Sequence, residues 1–183
     1  MTAGPGAPGS GGGEPGARPS EGAPGPLPPL GVPPRGTSLV LRGRELDRPA
    51  VMAIVNRTDD SFYAGARQLD DRQALAAVER AVREGAEILD VGGVRAGVGP
   101  EVTPAEEIRR VVPFVARVRS EFPELLVSVD TWRADVAHEA ALAGADLVND
   151  TWAGHDPRLV EVAGQHGIGV VCSHTGGARP RTD

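Results

Sequence analysis

From Val51 onward, apolar residues recur in two alternating rhythms. Short runs at 51–55, 87–91, 125–129, 146–148 and 168–172 read as strands, each bounded by turn or capping residues. Between them lie helical spacings. Ala74, Leu75, Val78, Ala81 and Val82 share one helical face, with Asp70 and Asp71 as candidate caps and Gly85 as the stop. Thr103, Pro104 and Glu106 announce the next helix as N-cap, first helical position and reciprocal capping-box acid. Ile108, Val111, Val112, Val115, Val118 and Phe122 form its apolar face. A third helix is expected over 133–143, closed by Gly144. A fourth starts at Asp156 and Pro157, with Leu159, Val160, Val162 and Ala163 turned inward.

Five strands separated by single helices imply a parallel sheet covered by helices. Two architectures satisfy that pattern. An open doubly wound sheet is complete with five strands, whereas an eight-stranded barrel of about 250 residues needs three further units.

The strand ends carry the candidate chemistry. Asn56, Asp90, Asp130, Asn149 with Asp150, and His174 stand where apolar runs stop. Parallel strands bring such residues to one edge, where α/β folds bind ligands. Singly, each is equally well explained as a turn or helix cap. Together, Asp130 and Asn149 present acceptors and donors suited to an amino-pyrimidinone ring, so they suggest recognition more than proton transfer, and no residue is singled out as catalytic. Glycine-rich loops follow the second strand, at 92–99, and the fifth, at 175–180. Arg57, Arg95, Arg179 and Arg181 stand near them as possible phosphate contacts, although a solvated loop arginine is the commoner case. His138 on the third helix and His166 near the end of the fourth read as ordinary surface or packing residues.

Composition changes the picture at the N-terminus. Residues 1–36 hold 11 Gly and 10 Pro and are expected to be a disordered tail, leaving 37–183 as one domain. All 19 basic residues are Arg, which excludes a phosphate-loop or Schiff-base lysine within the sequence. The formal charge of −6 and the scarcity of aromatic residues disfavour a nucleic-acid partner. No apolar run reaches membrane-spanning length and no secretory signal is apparent, so a cytoplasmic protein without membrane contact is expected. The single Cys172 fits a small apolar residue inside a strand.

Four segments then carry a resemblance: Met52-Ala-Ile-Val-Asn-Arg-Thr-Asp-Asp-Ser-Phe62, Ile88-Leu-Asp-Val-Gly-Gly93, Val127-Ser-Val-Asp-Thr131 and Val148-Asn-Asp150. In order and spacing the chain resembles the dihydropteroate synthase family, the pterin-binding barrels of folate synthesis. The resemblance implies an α/β fold of the TIM (β/α)8 type, incomplete, with about five β/α units. It implies a transferase that condenses 4-aminobenzoate with a dihydropterin methyl diphosphate with the help of Mg2+. Asn56 would contact the metal, Asp130 and Asn149 would bond the pterin ring, and Asp90 would support the pocket floor. A homodimer is usual in the family, an expectation weakened here because the family's last helices have no counterpart before Asp183.

Departures qualify the activity. Asp59, Tyr63 and Ala64 replace the usual first-loop residues. After the double glycine the family pattern is Glu-Ser-Thr-Arg, whereas this chain reads Val94-Arg95-Ala96-Gly97. The diphosphate-holding Thr and Arg are thus Ala and Gly, with Arg95 as the candidate substitute. Ser173-His174 stands where Met-His is usual. The family's late Asp, Lys and Arg-x-His have no counterpart, so a truncated, divergent synthase-like paralogue with impaired transfer is expected. The alternative is a non-catalytic pterin-fold module that binds or regulates. A methyltetrahydrofolate-binding transferase ranks last, since nothing suggests a corrinoid partner.

Overall fold

Alternation of side chains in the five apolar runs is satisfied by one parallel sheet that follows chain order. The computed structural model describes residues 39–58, 64–97, 99–176 and 179–181, together with Met1, Thr2 and Gly4. The chain divides after Arg35, and every element lies in the unit Gly36–Asp183. The tail expected over 1–36 falls almost wholly outside the described residues.

Strands β3 (Met52–Asn56), β4 (Ile88–Gly92), β5 (Leu126–Asp130), β6 (Leu147–Asp150) and β7 (Gly169–Cys172) pair in the order β3-β4-β5-β6-β7, all parallel. Helices α1 (Ala64–Arg83), α2 (Pro104–Glu121), α3 (Ala134–Leu142) and α4 (Arg158–His166) fill the crossovers. A doubly wound sheet reverses its strand order at a switch point. This one never does, so it is an arc of a β/α barrel and the doubly wound alternative falls.

Odd and even strand positions divide the molecule into two layers. Leu89, Val91, Val127 and Val129 point at the helices and pack against Val78, Val111, Val115 and Val118, all buried. Each such side chain contributes about 1.5–3 kcal/mol. The alternate set, with Asp90, Ser128, Asp130, Leu147, Asn149 and Val171 among them, turns to the barrel interior.

Several boundaries move. Helix α1 begins at Ala64, ahead of Asp70 and Asp71, so neither is its cap. Thr103 caps α2 as expected, its hydroxyl accepting the Glu106 N–H at 3.2 Å, but the Glu106 carboxylate accepts from Arg109 and Arg110 and does not reach back. Cys172 ends β7 and is exposed, not interior.

A β-hairpin that the sequence reading lacks precedes the barrel: β1 (Leu39–Leu41) and β2 (Arg44–Leu46), antiparallel. Arg42 and Gly43 turn it with φ of 51° and 72°, the two successive left-handed residues of a tight hairpin. Leu41 packs on Ile88, Leu126 and Leu147 and covers the N-terminal end of the strands. Ligand access is left to the opposite edge.

Candidate functional site at the C-terminal edge of the sheet

Strand register stacks the interior side chains in levels. Ile54, Asp90 and Ser128 are mutual partners on one level, and Asn56, Gly92, Asp130, Asn149 and Val171 form the next level toward the mouth. Of the expected residues, Asn56, Asp130 and Asn149 therefore share a level, and Asp90 lies one level below.

Asn149 bridges the two levels. Its side-chain N–H donates to Asp90 Oδ2 at 3.0 Å. Asp90 is buried, and its Oδ1 has no hydrogen-bond partner among the described residues; neither has the buried Ser128 hydroxyl on the adjacent strand. Buried acceptors left without a donor are costly, so this floor is suited to an N–H from a ligand or water. The bond also fixes the Asn149 carboxamide, because the group that donates to Asp90 leaves its carbonyl oxygen free to accept.

Asp130 is partly buried, and burial followed by the nearby Asp90 carboxylate pushes its carboxyl up to about 6. A hydrogen bond from the Thr151 hydroxyl, at 3.4 Å, opposes the rise. Near pH 6 the group is poised between accepting and donating, and above it the group mainly accepts. At the rim, a Cβ on Gly92 would lie 2.8 Å from Asn56 Oδ1 and 3.8 Å from Asp130 Oδ2. Glycine there lets two oxygens close over the strand end.

Further residues, Asp150 of the strand ends and Glu107, which the sequence reading did not single out, hold this arrangement. Asp150, next to Asn149 but on the helix-facing side, is buried and accepts the N–H groups of Trp152 at 2.8 Å and Gly154 at 2.7 Å. It pins a turn in which Ala153 has φ of 56°. Glu107, buried on α2, accepts from Arg133 at 2.6 Å. Burial pushes its carboxyl above the usual range, while Thr131 and Arg133 pull it down. Arg133 also lies 4.6 Å over the Trp132 ring, and Trp132 meets Trp152 edge to face at 6.3 Å. The signal for Glu107 was available: it lies on the same helical face as Val111, Phe114 and Val118. A charged residue on such a stripe needs a buried partner.

The candidate anion contacts separate. Arg95 is exposed on the loop after β4. Arg57 instead pairs with Asp71 and lies 4.8 Å over the Phe114 ring, a packing role. Arg181 joins the two glycine-rich loops, donating to Pro100 O at 2.8 Å and Gly97 O at 3.3 Å. His174 is exposed past the end of β7, apart from the Asn149 level. Asp59 and Tyr63 of the first loop lie outside the described residues, as do Gly177 and Ala178.

The donors suit a hard cation only in part. Asn56 and Asp130 offer oxygen, which Mg2+ prefers, but among the described residues no three His, Cys, Asp or Glu side chains are placed to hold a metal ion. These two side chains could supply one or two of such an ion's oxygen ligands.

Comparison with known proteins agrees with the fold. The chain is 58% identical over 136 residues to "Inactive dihydropteroate synthase 2" of Mycobacterium leprae (strain TN), covering 74% of this chain and 47% of the relative. It is 39% identical over 130 residues to "Dihydropteroate synthase" of Bacillus subtilis (strain 168), covering 70% and 45%. The Yersinia pestis dihydropteroate synthase structure with a sulfonamide drug complex superposes with a TM-score of 0.68 at 39% identity, over 79% of this chain and 53% of that one. The chain thus spans about half the length of the curated relatives it matches. The model for the family "Pterin binding enzyme" matches residues 52–183, from the first barrel strand onward, and the chain belongs to that family as a divergent dihydropteroate synthase-like member.

Proposed function

We propose that the chain holds a pterin-type heterocycle through Asp130, Asn149 and Asp90 and is impaired in the transfer that joins a dihydropterin methyl diphosphate to 4-aminobenzoate. The observation that carries this reading is the Asn149–Asp90 bond beneath Asp130, which leaves a buried acceptor at Asp90 Oδ1. A bicycle with ring N–H and amino groups supplies the donors that this floor lacks, and Asn149 Oδ1 and Asp130 offer further acceptors at the level above. Orientation is the protein's main contribution to such a transfer.

The diphosphate end is weaker. Ala96 and Gly97 have no side-chain donors, and Arg95 is the single arginine between Asp90 and Gly99. Mg2+, when bound, would neutralise charge on the departing diphosphate, with Asn56 as its protein ligand. The mycobacterial relatives named inactive support impairment over full activity. A cytoplasmic location goes with the proposal; no helix among the described residues is long and apolar enough to cross a membrane.

Calorimetry with the pterin alcohol and with its diphosphate tests the reading. Comparable affinities, with no diphosphate release in the presence of 4-aminobenzoate, are expected. Much tighter binding of the diphosphate with turnover would show an intact enzyme, and the binding-only alternative would fall with it.

A further inference from the structure

On the outer side of the barrel, away from the mouth, His138 of α3 and His166 of α4 meet with Nδ1 of the first 2.9 Å from Nε2 of the second and ring centroids 4.9 Å apart. Both are partly buried. We propose that this pair is a binding site for a divalent transition metal ion of the Zn2+, Ni2+ and Cu2+ class, clamping α3 to α4.

Three observations converge. The two nitrogens already face each other across the helix interface. Two imidazoles on one tetrahedral ion at 2.0–2.1 Å would hold their nitrogens about 3.3 Å apart, so opening the pair by a few tenths of an ångström admits the ion. Next to it lies a hollow of about 340 Å³ between α3 and α4, lined by His138, Glu139, Arg158, Glu161 and Gln165 among others, with room for the waters that would complete the coordination of a two-imidazole site. His166 also occupies the last turn of α4, where the carbonyl end of a helix favours positive charge. Imidazole nitrogen selects this class of metal over Mg2+ and Ca2+, and two protein ligands leave open positions for water. Binding replaces the shared proton: the donor imidazole releases it to solvent and both nitrogens offer lone pairs.

The test uses the full chain, freed of any purification tag that binds metal, titrated with ZnCl2 and separately with CuCl2. One ion per chain and a raised melting temperature are expected. Loss of the partner of a ligand already weakens metal affinity by about tenfold or more, so His138→Gln and His166→Gln should each lose at least that much. His155→Gln, outside the pair, should lose nothing. Electron paramagnetic resonance of the Cu2+ form should show two nitrogen ligands in the parent chain and one in each variant, a readout that altered folding alone does not produce. Absence of binding by the parent, binding by both pair variants as tight as the parent's, or a copper spectrum unchanged by them would overturn the assignment.

Discussion

Asn149 and Asp90, 59 residues apart in sequence, meet at 3.0 Å inside the barrel, and the bond fixes the orientation of the carboxamide and gives the buried carboxylate a donor. Neither residue does this alone. Among the described residues, Asp90 without Asn149 is a buried carboxylate with no hydrogen-bond partner on either oxygen, and Asn149 without Asp90 is an amide free to rotate.

Asn149→Leu should therefore destabilise the chain by about 1–3 kcal/mol, the usual cost of stranding a buried polar group. The double variant Asp90→Leu with Asn149→Leu should recover much of that loss, because it removes both ends of the interaction. Urea midpoints of the two single variants and the double variant measure the coupling; additive losses would show that the two side chains do not act as a unit.

Asp130 provides a pH test. Its carboxyl is raised from the usual 3.8 to about 6 in the folded chain, so the folded state holds the proton more tightly than the unfolded state. Relative stability is then fully present below about 3.8 and is lost as pH rises toward 6, by at most about 3 kcal/mol. Asp130→Asn should match the parent near pH 4 and melt higher above pH 6.5. Parallel melting curves across that interval would contradict the shift.

Much of the fold was legible because it rests on local signals. Gly85, Gly144 and Gly167 end helices or their turns with φ of 98°, 105° and 65°, and the apolar runs lie within a residue or two of the observed strands. The β1–β2 hairpin was not, since three-residue strands carry too few positions to show alternation. The early start of α1 was hidden because its first six residues, Ala-Gly-Ala-Arg-Gln-Leu, include a glycine and show no clear helical apolar stripe. At the site, the strand-end residues could be read from position, but which of two adjacent residues faces inward depends on register. Asn149 turns to the interior and Asp150 to the helices, and that one-residue difference separates a ligand contact from an anchor.

Glu107 and Arg133 illustrate the anchoring layer. Glu107→Ala should cost about 3–5 kcal/mol, because it leaves the Arg133 guanidinium without its buried partner. Glu107→Leu combined with Arg133→Leu should cost distinctly less. Thermal unfolding of the three chains decides; an equal loss in the double variant would make the pair stabilising in its own right.

Two neighbouring glycines should respond differently to alanine. At Gly93 a Cβ would lie 2.6 Å from Val111 Cγ2 and 3.1 Å from Glu107 Cγ, in packed core, so Gly93→Ala should destabilise by about 1–3 kcal/mol. At Gly92 the nearest atom is the end of the exposed Asn56 side chain, which can swing away. Gly92→Ala should thus leave the melting temperature nearly unchanged while displacing Asn56 and reducing any Mg2+-dependent gain in diphosphate affinity. Equal melting shifts would contradict the two environments.

The most direct test is equilibrium binding of 6-hydroxymethylpterin to the parent chain, Asn149→Ala and Asp130→Ala at pH 7.5. Saturable one-to-one binding is predicted for the parent, weakened about tenfold or more in each variant, since each lost hydrogen bond of about 1.4 kcal/mol is a factor of ten in Kd. No binding by the parent chain, or equal binding by all three, would contradict a heterocycle site built from these strand ends.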